Sequence, residues 1–100
     1  MLSILINGIC GQMGRAVYTA CGASNGAFSA AAGVDMNLPE TAEFSCPVYA
    51  SLAEVAVPID AMIDFSVPGS LPELLRFAQR KRVPLIVGTT GLTPRDLRLI

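Results

Sequence analysis

Asn7-Gly8-Ile9-Cys10-Gly11-Gln12-Met13-Gly14-Arg15 is the stretch that decides the fold. Its glycines stand at a GxxGxxG spacing, and the residues on either side change period across it. Residues 2–7 (LSILIN) form an apolar run rich in Ile and Leu, the pattern of a buried strand. Beyond the loop, Met13, Ala16, Val17 and Ala20 recur at helical spacing, which predicts a helix from Gln12 to about Cys21. A strand that turns sharply into a helix needs glycine for the turn. It also needs glycine wherever the backbone approaches a pyrophosphate without a Cβ in the way. The helix N-terminus adds unpaired N–H groups and the positive end of a dipole. Tight turns use glycine as well, so the spacing alone leaves a purely structural role open.

The downstream sequence favours the binding role. Residues 22–26 (GASNG) form a turn cluster, and residues 27–35 (AFSAAAGVD) read as a second strand ending on Asp35. Asp35 lies about twenty residues past Gly14, where an acidic side chain meets the adenosine ribose hydroxyls of a dinucleotide. Met36, Asn37 and Leu38 follow it, and none is cationic. A 2′-phosphate wants an arginine near this position and is repelled by a carboxylate. NADH is therefore expected over NADPH, with Arg15 or a distant arginine as the compensating alternative.

Further along, residues 36–46 lack periodicity and read as a surface loop. Residues 47–49 form a short third strand and residues 51–55 a small helix. Residues 61–66 (AMIDFS) make a fourth strand. Ser70 and Glu73 then form a capping box with Pro72 in the first turn, and Leu71, Leu74, Leu75 and Ala78 line one helix face. Residues 83–89 (VPLIVGT) are a fifth strand, and Thr93 caps a last helix opened by Pro94. Strands alternating with helices specify an α/β, Rossmann-like three-layer domain with a mostly parallel sheet, spanning residues 1–100.

Composition closes off other classes. The chain is 52% hydrophobic and 15% charged with a net charge of −1, which excludes disorder and provides no basic surface for nucleic acid. Every cation except Arg15 falls after residue 75; Arg80, Lys81 and Arg82 are read as the basic end of a helix. Cys10, Cys21 and Cys46 form no CxxC pair and there is no histidine. A disulfide framework and a metal site are not expected, and Ser-His or Cys-His catalysis has no partner here. Cys10 sits near a helix N-terminus, which lowers a thiol pKa, although packing explains it too. The opening MLSILI is too short for a signal segment or a membrane span, so a cytoplasmic location is expected.

Two segments together resemble one family. Residues 8–15, ending Met-Gly-Arg, are similar to the nucleotide loop of dihydrodipicolinate reductases. So is Ile63-Asp64-Phe65-Ser66 followed some twenty residues later by Val87-Gly88-Thr89-Thr90-Gly91. The resemblance spans the chain but covers only the cofactor-binding half of that family. It implies an enzyme of the diaminopimelate route to lysine that reduces 4-hydroxy-tetrahydrodipicolinate to tetrahydrodipicolinate with a hydride from NAD(P)H. It also implies that Gly8, Ile9, Cys10, Gly11, Gln12 and Met13 hold the pyrophosphate and Asp35 the ribose. Phe65 and Ser66 would lie along the cofactor, with Gly88, Thr89 and Thr90 near the nicotinamide. A cytoplasmic homotetramer is implied, assembled through a second, substrate-binding domain absent from this chain.

The family's proton donor lies in that second domain, on a His- and Lys-bearing motif, so no catalytic residue is assigned here. Cys10 and Gln12 stand where the family often has glycine and arginine, and Val67 where some members have arginine. These departures bear on phosphate contacts and on NADPH use, not on the fold. Two alternatives remain: another two-domain NAD(P)-dependent dehydrogenase of amino-acid metabolism, or a non-catalytic nucleotide-sensing module.

Overall fold

The computed structural model describes residues 2–37, 44–65 and 71–88. Within them lie β1 (Leu2–Asn7), α1 (Gln12–Gly22), β2 (Phe28–Val34), β3 (Val48–Tyr49), β4 (Ala61–Asp64), α2 (Leu71–Lys81) and β5 (Leu85–Val87). The five strands form one sheet in the order β3-β2-β1-β4-β5, and every pairing is parallel. The expected α/β, three-layer Rossmann-like fold is what the chain adopts. The order reverses at β1, so a switch point opens beyond the carboxyl ends of β1 and β4, where sheets of this kind bind ligands.

Two apolar layers sandwich the sheet. Leu5, Val34, Met62, Leu74 and Phe77 form one, under α2. Ile4, Ile6, Ile9 and Cys21 form the other, with Val17 and Tyr18 of α1 packed against them. The face α1 buries is Gly14, Val17, Tyr18 and Cys21 rather than the expected Met13, Ala16, Val17 and Ala20; Met13 is 57% exposed. The cause is Gly14. A Cβ there would fall on the Gly8 carbonyl and lie 2.7 Å from Ile9 Cα, so the helix closes on the loop through its bare backbone. On α2, Leu74 and Ala78 are buried as expected, while Phe77 joins them in the core and Leu75 is only half-buried.

The pairing of β1 with β2 jumps from Ile4–Ala30 to Leu5–Ala32, leaving Ala31 as an extra residue. A one-residue slip turns all later side chains to the opposite face. Ala30 therefore packs with α1's layer, whereas Ala32 and Val34 pack with α2's. Gly33 falls beneath Ile9, where a Cβ would stand 2.6 Å from Ile9 Cδ1.

β1 and α1 match the sequence reading to within a residue, but the later strands and the small helix are shorter than expected. The small helix is one 3-10 turn, Leu52–Glu54, in which the Glu54 carboxylate accepts the Ser51 N–H at 3.1 Å. β4 ends at Asp64 and β5 at Val87. Ser70 of the expected capping box, Ser66, Thr89, Thr90 and the helix expected after Thr93 lie outside the described residues. Among the described residues, no helix is long and apolar enough to cross a membrane.

Candidate functional site

A cavity of about 320 Å³ opens at the switch point. Its floor is the strand-to-helix loop. Gly8 turns the chain with φ +83°, a left-handed conformation that glycine adopts without a Cβ penalty. The Gly8 N–H donates to the Val34 carbonyl at 2.7 Å, and the Gly11 N–H donates back to the Gly8 carbonyl at 3.1 Å. Gly11 is the N-cap of α1, and no side chain caps that end. The first N–H groups of a helix have no intrahelical partner, so the cavity floor meets an uncapped positive terminus. A Cβ on Gly11 would meet only the Gly8 carbonyl oxygen, at an ordinary 3.5 Å. The protein's own packing therefore does not demand glycine at 11, whereas at 14 it does.

Asp35 forms a second wall. Its Oδ2 accepts the Cys10 N–H at 2.9 Å and its Oδ1 the Asn37 N–H at 3.0 Å. The carboxylate thus ties the end of β2 to the loop while lining the cavity. Met36, 81% exposed, stands beside it. Phe65 closes the β4 side. Gly88 packs so tightly on the Phe65 ring that a Cβ would overlap its edge.

Of the residues singled out from the sequence, the structure brings Gly8, Gly11, Asp35 and Phe65 together around the cavity. Ile9 is fully buried beneath the loop, and Cys10 is half-buried against the same apolar layer. Gln12 and Met13 are exposed in the first turn of α1. Gly88 reaches the site through Phe65. Ser66, Thr89 and Thr90 fall outside the described residues.

Several cavity residues escaped the sequence reading. Asn7 ends β1 and is almost fully buried; Ser51 and Leu52 come from the 3-10 turn, and Glu73 from the first turn of α2. Only strand order puts the Ser51–Leu52 and Glu73 segments beside Gly8, whereas Asn7 adjoins it in the chain, and a polar residue ending an apolar strand was a usable signal there. Asp35 and Glu73 are the charged residues among those lining the cavity.

Arg15 is turned away from the cavity. Its Nε donates to the Cys10 carbonyl at 2.9 Å and its guanidinium lies 5.4 Å from the centre of the Phe44 ring. On that side of the sheet, burial pushes the Cys21 thiol up from its ordinary pKa. The Cys46 thiol is raised first by burial and further by its neighbour Cys21, against a lowering hydrogen bond from its own backbone.

Comparison with known proteins agrees with this architecture. The family model "Dihydrodipicolinate reductase, N-terminus" matches residues 2–100. A 4-hydroxy-tetrahydrodipicolinate reductase from Caldanaerobacter subterraneus subsp. tengcongensis is 35% identical over the whole chain, which covers 38% of that protein. One from Exiguobacterium sp. is 52% identical over 48 residues, 48% of this chain and 19% of that protein. The chain thus spans about two-fifths of the length of the curated relatives that match it end to end. Among solved structures, a dipicolinate-bound dihydrodipicolinate reductase from Paenisporosarcina sp. TG-14 superposes with a TM-score of 0.75. It is 23% identical, and the match covers 99% of this chain and 41% of that one.

Proposed function

The chain belongs to the dihydrodipicolinate reductase family, as its N-terminal part, and on that premise we propose that it is the cofactor-binding half of a 4-hydroxy-tetrahydrodipicolinate reductase. The observation that carries this reading is the bare loop backbone at Gly8 and Gly11, laid against the uncapped N-terminus of α1 at the switch point of the sheet. The site fits a dinucleotide. A pyrophosphate meets N–H groups and a positive dipole end there, with no Cβ between. Asp35 faces the same cavity with both oxygens already oriented by backbone N–H groups, and so presents fixed acceptors to ribose hydroxyls.

The cofactor, when bound, supplies the hydride. The chain's own residues bind and orient it. Gly8, Ile9, Cys10, Gly11, Gln12 and Met13 form the pyrophosphate loop, Ile9 by anchoring it in the core. By the family resemblance, Phe65 and Ser66 would contact the cofactor, and Gly88, Thr89 and Thr90 its nicotinamide end. The proton donor and the substrate contacts belong to a second domain, through which a cytoplasmic homotetramer assembles.

NADH is the preferred donor. Asp35 and Glu73 line the cavity, no cation among the described residues does, and Arg15 is engaged with Cys10 and Phe44. A 2′-phosphate would enter a field of its own sign. The test is NADH consumption by the complete polypeptide supplied with 4-hydroxy-tetrahydrodipicolinate. Substrate-dependent consumption supports the reading. Intact NADH binding without consumption would turn it into a nucleotide sensor.

A further inference from the structure

Asn7 and Asp64 are the buried polar side chains of the described residues, 6% and 1% exposed. They end β1 and β4 and face each other in register. Asn7 Nδ2 donates to Asp64 Oδ1 at 3.0 Å. The backbone repeats the link: the Phe65 N–H donates to the Asn7 carbonyl at 2.9 Å and the Gly88 N–H to the Asp64 carbonyl at 2.7 Å. Asn7 is followed directly by the glycine that turns the phosphate loop. Asp64 is followed directly by Phe65, the opposite wall, on which Gly88 rests.

A buried carboxylate is an expensive way to join two strands. Apolar residues of similar volume serve a core as well or better, and a buried polar pair that persists is best explained by geometry. We infer that Asn7 and Asp64 are positioning residues, a strut that fixes the separation between the glycine loop and the Phe65–Gly88 wall. The inference rests on the dinucleotide reading above. In a doubly wound sheet the two mononucleotide halves lie on either side of the switch point. A ligand that spans both halves crosses the strut, whereas one confined to the loop side does not.

The experiment compares NADH with ADP, by calorimetric titration, on the chain and on Asn7→Ala and Asp64→Asn. In Asn7→Ala the dissociation constant for NADH rises at least about tenfold while that for ADP moves less than about threefold. Asp64→Asn keeps a carbonyl acceptor for Asn7 Nδ2 and stays within about threefold of the parent for both ligands. Equal losses of NADH and ADP affinity in Asn7→Ala, or a lower melting temperature with an unchanged ratio of the two affinities, would overturn the strut. A parent chain that binds neither ligand refutes the dinucleotide reading instead. The strut is then read from amide exchange: Phe65 and Gly88 exchange at least about tenfold faster in Asn7→Ala, relative to the amides of β1. Unchanged exchange there overturns it.

Discussion

The backbone N–H of Cys10 donates to Asp35 Oδ2 at 2.9 Å, across a separation of 25 residues. The acid at the end of β2 therefore shapes the glycine loop as well as lining the cavity. Its second oxygen holds Asn37 at 3.0 Å. A carboxylate has about four acceptor sites, so both bonds leave capacity for a ligand hydroxyl.

This double duty separates two substitutions of Asp35. Asp35→Ala removes acceptors from two N–H groups, one of them in a half-buried loop, and should lower stability by about 1–3 kcal/mol. It should also weaken NADH binding by about tenfold or more. Asp35→Asn retains one carbonyl oxygen and should lose less of both. Chemical denaturation and calorimetric titration on the two variants check the order.

Cofactor preference should turn on Met36. The side chain is 81% exposed beside Asp35 and is free of packing duties, so Met36→Arg should leave the melting temperature unchanged. A guanidinium there offers a bidentate partner to a 2′-phosphate. The ratio of NADPH to NADH affinity should rise by about tenfold, a difference of about 1.4 kcal/mol. Titration of both nucleotides at one salt concentration measures it.

The buried Cys21 thiol and the half-buried Cys46 thiol give stability a pH dependence of known sign. Burial raises the pKa of Cys21 and of Cys46, so the folded chain keeps protons that the unfolded chain releases first. Stability from this source is fully present below the unfolded thiol value of about 8.5 and falls as pH rises toward the raised folded values. The urea midpoint should drop between about pH 7 and about pH 9.5, and Cys46→Ala should flatten that slope.

Arg82 closes α2 in the left-handed region at φ +56°. The Arg82 N–H donates to the Gln79 carbonyl at 3.2 Å and the Val83 N–H to the Ala78 carbonyl at 3.1 Å, the pairing of a Schellman end. Glycine is the residue suited to that position. Arg82→Gly should therefore stabilise the chain by about 0.5–1 kcal/mol, the left-handed penalty less the added backbone entropy. Thermal denaturation reads the gain.

The sequence was most legible where local chemistry and tertiary structure agree. The glycine spacing, the apolar run before it and the acid about twenty residues beyond Gly14 were enough for the fold and for one side of the site. The α1 face was misread because periodicity ranks Met13, Ala16 and Ala20 by hydrophobicity, while the interface was set by how closely Gly14 lets the helix approach. The extra residue at Ala31 was invisible in a run of three alanines, yet it decides which way Gly33 and Val34 face. Ser51 and Glu73 reach the cavity only through the strand order, which no local pattern encodes.

Gly11→Ala is the direct probe of whether the bare backbone of the loop holds a pyrophosphate. A Cβ at 11 stands at an ordinary 3.5 Å from the protein and the backbone there, φ −76°, suits alanine, so the fold should be untouched. Calorimetric titration with NADH should find binding to the parent chain and, in Gly11→Ala, an affinity lower by at least about tenfold, with a melting temperature lowered by no more than the few degrees that alanine costs at an N-cap. Equal affinities in the two proteins would contradict the claim and leave the glycine loop a structural turn.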